Sequence, residues 1–313
     1  MLTKSPENLK SCALPLKYFT AAREAFSEIL ASLEFSSGKK LLLPAYIGIT
    51  DREGSGVYDP VQENSTPHDF YSLDNRLGAI ETELFDLIES GQYKALLIIH
   101  YFGFCQNRMD KIVELCKSND VLLIEDCAHT MFGSIEAGDL GKLGDFSFYS
   151  IHKYLAAKDG GCLRVNNDQY LYVLRASERT VKPPSNETLN VILKSKLEAI
   201  RARRRENYLY LSELLRPLVG IEFMYEHLPS GISPHNFPLT VNEGRREEIY
   251  FKLIEAGVPV IALYYRMIPP IEEADFPSAT KVSGSILNLP VHQDITASDL
   301  VFVSNKLEEA LSL

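Results

Sequence analysis

Apolar positions along the first half of the chain follow two alternating rhythms. In "YFTAAREAFSEILASLEF" (18–35), Phe19, Ala22, Phe26, Ile29, Leu30 and Leu33 recur at the steps that put side chains on one helix face. "KKLLLPAYIG" is a continuous apolar run stopped by Pro44 and reads as a buried strand, and "HDFYSLD" reads as a short one. "AIETELFDLIESG" returns to helical spacing and ends at Gly91; "KALLIIHYFG" is then a strand, "NRMDKIVELCKSND" a helix and "VLLIED" a strand. Strands that are apolar throughout, alternating with amphipathic helices, predict a mostly parallel sheet covered on both faces.

After Gly161 the pattern changes. "LNVILKSKLEAIRARRRENYLYLSELLRPL" reads as one long helical run dense in basic residues, and the loop-like "RTVKPPSNET" precedes it. The remainder, with "NFPLTVN", "REEIYFKLIEAG", "VPVIALYYR", "GSILNLPV" and "ASDLVFVSNKLEEAL", mixes strands and helices. The expectation is a large α/β domain over residues 1–190 with a mainly parallel, mixed sheet, followed by a small α+β domain over residues 191–313.

Composition narrows the function classes. The chain has 313 residues, 45% of them hydrophobic, enough for a sizeable core. Its formal net charge of -10 gives no basis for the attraction that drives nucleic-acid binding, so "RARRR" is read as a solvated or salt-bridged helix face. Five scattered cysteines, Cys12, Cys105, Cys116, Cys127 and Cys162, contain no C-x-x-C pair, which argues against a disulfide framework and a zinc site. The N-terminal stretch lacks the apolar run of a signal peptide, and no segment approaches the ~20 apolar residues of a membrane span. A cytoplasmic protein acting on small molecules, with no nucleic-acid or membrane partner and no metal, is expected.

Polar residues at the ends of the apolar strands supply candidate chemistry. Asp126 and His129 follow "VLLIED", and "GDFSFYSIHKYLAAKDGG" then carries Ser147, Ser150, His152, Lys153 and a glycine pair. Ligands of open α/β sheets bind at the carboxyl ends of the strands. A carboxylate there, with a lysine after a serine-bearing strand, suggests pyridoxal phosphate chemistry. The amine condenses with the coenzyme aldehyde, and the acid keeps a proton on the pyridine nitrogen so that the ring acts as an electron sink. The helix start in "TAAREAF" offers free amides to the phosphate. His152, next to Lys153 on an extended backbone, is expected to face away, and Gly160-Gly161 to allow a turn with positive φ.

In "LIIHYFGF", "LLIEDCAHTMFGS", "LGDFSFYSIHKYLAAKDGG" and "SILNLPVHQDIT", the chain resembles the DegT/DnrJ/EryC1/StrS family of pyridoxal-phosphate aminotransferases, with gaps, from about residue 18 to the end. The resemblance implies a fold-type-I enzyme that moves an amino group from an amino acid, glutamate being expected, to a keto-sugar carried on a nucleotide. It implies Lys153 as the coenzyme-bearing lysine, with Lys158 as the alternative, Asp126 at the pyridine nitrogen and His129 near the phenolic oxygen. Ala22 and Arg23 fall in the phosphate cup, Ser147 or Ser150 adds a hydroxyl to it, and Tyr46 lies where relatives put an aromatic over the ring. His292 matches a family position, with bracing of the small domain as the structural alternative.

Three departures stand out. The family's S-G-T cup reads Ala21-Ala22-Arg23, one extra residue separates "FSF" from the lysine, and no G-x-N-x-R segment appears in "ASERTVKPPSNETLN". Relatives use that segment to reach the neighbouring subunit's site, so the homodimer that the resemblance implies either lends other residues, expected from about Tyr46 to Tyr58 or from "ERTVKPPSN", or keeps a more open site. Two alternatives stay open: a lyase or dehydratase of the same fold, and a paralogue that binds pyridoxal phosphate or nucleotide-sugars without turnover.

Overall fold

The computed structural model describes residues 16–35, 38–130, 140–175 and 182–312. Cys12, the N-terminal stretch and part of "ERTVKPPSN" lie outside the described residues. In chain order the elements of the first half are β1 (Leu16–Phe19), α1 (Ala22–Ser32), β2 (Lys40–Pro44), α2 (Tyr58–Glu63), β3 (His68–Tyr71), α3 (Glu81–Glu89), β4 (Tyr93–Ile99), α4 (Met109–Ser118), β5 (Leu122–Cys127), β6 (Phe146–Ser150) and β7 (Gly161–Val165). The second half adds α5 (Asn186–Lys194), α6 (Leu197–Leu215), β8 (Ile221–Phe223), β9 (Phe237–Val241), α7 (Arg246–Glu255), α8 (Pro277–Ser285), β10 (Ile286–Leu289) and α9 (Ala297–Ser312).

Seven strands form the main sheet in the order β1-β7-β6-β5-β4-β2-β3. All neighbours from β6 to β3 are parallel, and β7 runs antiparallel to both β6 and β1. Leu41, Leu42 and Leu43 on β2 and Ala95, Leu96, Leu97 and Ile98 on β4 are fully buried, as expected of strands covered on both faces. A second, antiparallel sheet runs β10-β9-β8, and its strands bury Phe237, Leu239, Leu287 and Leu289.

Three sequence readings need correction. The run 18–35 is not helical from its start, because Leu16–Phe19 is a strand whose pairing with β7, Phe19 opposite Gly161, comes from far along the chain. The long basic run is two helices broken at Ser195 and Lys196, and the Ser195 hydroxyl donates back to the Val191 carbonyl at 2.6 Å. Within "RARRR", Arg204 is neither solvated nor salt-bridged. It is buried over the Tyr154 ring and donates to Gln293 Oε1 and to the carbonyls of Pro234, His235 and Lys153.

Glycine is required where α1 meets the sheet. Gly160 has φ +125, and a Cβ on Gly161 would lie 2.2 Å from the Ala21 carbonyl. The bare β7 backbone thus lets the first turn of α1 sit against the strand ends.

Candidate active site

The carboxyl ends of β5 and β6, the start of α1, the loop 48–57, the first turns of α7 and residues 261–265 enclose a cavity of about 980 Å³. Pleating decides which side chains reach it. On β5, Asp126 lines the cavity, whereas Glu125 is fully buried and accepts from His100 Nε2 and from the amides of Gly141, Leu143 and Gly144. The first acid therefore fixes the loop that enters β6, and the second is left for chemistry. On β6, Phe148 and Ser150 line the cavity. Ser147, with the opposite parity, is fully buried and donates to the Gly141 carbonyl at 2.8 Å.

The chain turns directly after Ser150, with the amides of Tyr154 and Leu155 both donating to the Ile151 carbonyl. Adjacent side chains do not alternate in such a turn, so His152 and Lys153 line the same cavity and the expectation that His152 faces away fails. Asp126 Oδ1 accepts the Ala128 amide at 2.8 Å. Burial pushes its carboxyl up to about 6, against the lowering pull of that amide and of Lys153. Burial likewise lowers Lys153, with Asp126 and Glu53 opposing. The pair thus combines an acid that gains from a cationic neighbour with an amine eased toward its neutral, nucleophilic form.

His129 and Tyr46 do not line the cavity. The His129 ring is buried, stacks on Phe102 and His235, and accepts the Phe102 amide at Nδ1. Burial and the nearby Lys153 charge hold it well below the usual imidazole range, so it is neutral. Tyr46 is fully buried and donates to the Leu263 carbonyl at 2.8 Å. The aromatic that lines the cavity is Tyr264, its ring 5.4 Å from that of Tyr46. Tyr264 has φ +58 and lies so close to Gly48 that a Cβ there would be 2.2 Å from its ring. Glu53, Arg246 and Tyr250 also line the cavity and, like Tyr264, carry no local motif that marks them.

At the start of α1, Ala22 and Arg23 line the cavity, and their amides have no hydrogen bond among the described residues. Glu24 Oε2 takes the amides of Thr20 and Ala21 instead. The Arg23 guanidinium lies 3.3 Å from Asp59 Oδ2.

The sequence profile of the DegT/DnrJ/EryC1/StrS aminotransferase family matches residues 76–180 and 190–308. The chain belongs to that family. It is 22% identical to UDP-N-acetyl-3-dehydro-alpha-D-glucosamine 3-aminotransferase of Acidithiobacillus ferrooxidans over 92% of this chain and 82% of that one. A Streptococcus pneumoniae chain described as a sugar aminotransferase, solved in PLP and PMP forms, superposes with a TM-score of 0.78 at 14% identity over 95% of this chain and 86% of that one. A GDP-4-keto-6-deoxymannose-3-dehydratase superposes with a TM-score of 0.75 at 16% identity over 93% and 88%. The fold is accordingly that of the fold-type-I pyridoxal phosphate enzymes, and the family's members are aminotransferases.

The donor set fits the family's coenzyme. A buried carboxylate whose ionisation needs a cationic partner, a lysine in the same cavity and two free amides at a helix start match a pyridine nitrogen, an aldehyde and a phosphate in turn.

Proposed function

We propose that this chain is a pyridoxal-phosphate-dependent aminotransferase that takes nitrogen from an amino acid, with glutamate the expected donor, and delivers it to a keto-sugar carried on a nucleotide. The observation that carries the reading is the convergence of Asp126 and Lys153 on one cavity at the carboxyl ends of the parallel strands. The nucleotide-sugar relatives support the acceptor class.

Lys153 would hold the coenzyme, Asp126 would face its ring nitrogen, and the amides of Ala22 and Arg23 with the Ser150 hydroxyl would hold its phosphate. When bound, the coenzyme supplies the electron sink for the carbanion formed at the substrate carbon. Once the donor's amine has displaced Lys153 from the coenzyme, the freed Nζ, neutral more readily because it is desolvated, would take a proton from that carbon and return it. Asp126 keeps a proton on the ring nitrogen by charge pairing. His129, neutral and clamped by its stacking partners, stiffens the wall behind the site rather than exchanging protons.

The purified protein should show a visible absorbance band that bleaches with glutamate, and borohydride reduction followed by peptide mapping should label Lys153. Label on Lys158, which pairs with Glu187, would overturn the lysine assignment. His152 beside Lys153 favours a second reading, dehydration of the sugar. In that case the keto-sugar is consumed with loss of a hydroxyl and no aminated sugar accumulates.

A further inference from the structure

Four basic side chains line the cavity: Arg23, Lys153, Lys158 and Arg246. Arg23 is held by Asp59, Lys158 by Glu187, and Lys153 faces Asp126. Arg246 stands apart. Its Nε donates to the Gly284 carbonyl at 3.3 Å, and no carboxylate pairs with it among the described residues. The adjacent Arg245, by contrast, is bound to Glu248 and to the carbonyls of Ala310 and Leu311. Glu247 follows Arg246 and also lines the cavity, but consecutive helix side chains diverge by ~100° and do not face each other.

Little in the fold accounts for this placement. Arg246 opens α7, where the helix dipole disfavours a cation, and it returns only one carbonyl contact. In a chain with 42 acidic residues, an unpaired arginine in the one cavity that holds Lys153 calls for an anion from outside. A guanidinium with both terminal nitrogens free offers a planar fork suited to a carboxylate or a phosphate.

We propose that Arg246 binds a multi-oxygen anion of the substrate, either the carboxylate of the amino donor or the diphosphate of the acceptor, and so orients the reacting carbon toward Lys153. This rests on the aminotransferase reading above. Because donor and acceptor enter the same cavity in turn, one fork can serve either.

The test compares Arg246→Met and Arg246→Lys with the parent protein, all loaded with pyridoxal phosphate and checked for fold by circular dichroism. Glutarate and inorganic pyrophosphate are titrated by calorimetry, and bleaching by glutamate is followed in single turnover. Arg246→Met is expected to weaken one of the two anions at least tenfold, and Arg246→Lys by less, since it keeps charge without the fork. Loss confined to glutarate, with a matching rise in the glutamate needed for bleaching, assigns the donor carboxylate. Loss confined to pyrophosphate, with bleaching unchanged, assigns the acceptor diphosphate. Unchanged affinity for both, or a parent protein that binds neither, overturns the proposal. A parent protein with no visible band sinks the aminotransferase reading instead, whereas a normal band with anion affinities indifferent to Arg246 sinks only this inference.

Discussion

Asp126 is a residue whose placement opposes stability. Burial pushes its carboxyl up to about 6 in the fold, from the 3.8 of an ordinary aspartate. At ~1.36 kcal/mol per pH unit this amounts to about 3 kcal/mol. The sign follows from which state holds the proton more tightly. The folded form does, so the contribution to stability is complete below the unfolded value and is lost as pH rises through about 6. Coenzyme-free Asp126→Asn should therefore be more stable than the parent at pH 7.5 by about 2–3 kcal/mol, and the two should converge near pH 4. Loaded with pyridoxal phosphate, the same variant should lose orders of magnitude in turnover while retaining most coenzyme affinity. Denaturant melts across pH give the first half; a stability gap that does not vary with pH would show that Asp126 is not a strained acid awaiting a cation.

Arg204 ties elements together. From α6 it reaches Lys153 O, Pro234 O, His235 O and Gln293 Oε1 at once, so that one side chain couples the turn carrying the lysine to the start of β9 and to the segment after β10. Arg204→Met keeps much of the volume but leaves those acceptors unmet, and should cost about 3 kcal/mol or more. Because Lys153 O is among them, turnover should fall beyond what unfolding explains, measured at a temperature where the variant is still folded. Native turnover in a folded Arg204→Met would refute the link. Nothing in "RARRR" reveals this role, since a basic run on a helix reads the same whether its members meet water or carbonyls. Local pattern did reveal the parallel strands and most of the first-half helices, because each is an uninterrupted apolar run or a one-faced repeat. It missed β1, which exists through pairing with β7. Which serine lines the cavity follows only from register: Asp126 lies opposite Phe148, so Phe148 and Ser150 share its face while Ser147 does not.

At the scale of the whole molecule, the cavity is built from segments widely separated in the chain, and that separation limits what sequence alone can give. Asp126 and Lys153 were legible because both stand at strand ends within one motif-bearing stretch, whereas Arg246, Tyr250 and Tyr264 come from the second half and join only through the fold. The same geometry bears on assembly. Phe251, Ile261 and Tyr265 line the cavity yet are 56%, 53% and 55% exposed, a cluster of large apolar side chains of the kind that marks an interaction surface. We propose a homodimer, expected to scatter light at about twice the 35.2 kDa chain mass, and a fully active monomer would refute it. Which chain supplies the loop 48–57 is separately testable. Gly48, Glu53 and Val57 line the cavity of their own chain, which supports the proposal that this loop completes its own chain's site and that the lent segment is the other one. Gly48→Val, which would force a Cβ into the Tyr264 ring, should inactivate its own chain's site. Mixing it with Lys153→Ala should then give hybrid dimers with one site lacking the lysine and the other lacking a competent loop, and no activity should return. Recovered activity in the mixture would mean that the loop completes the neighbour's site, and would reverse the assignment.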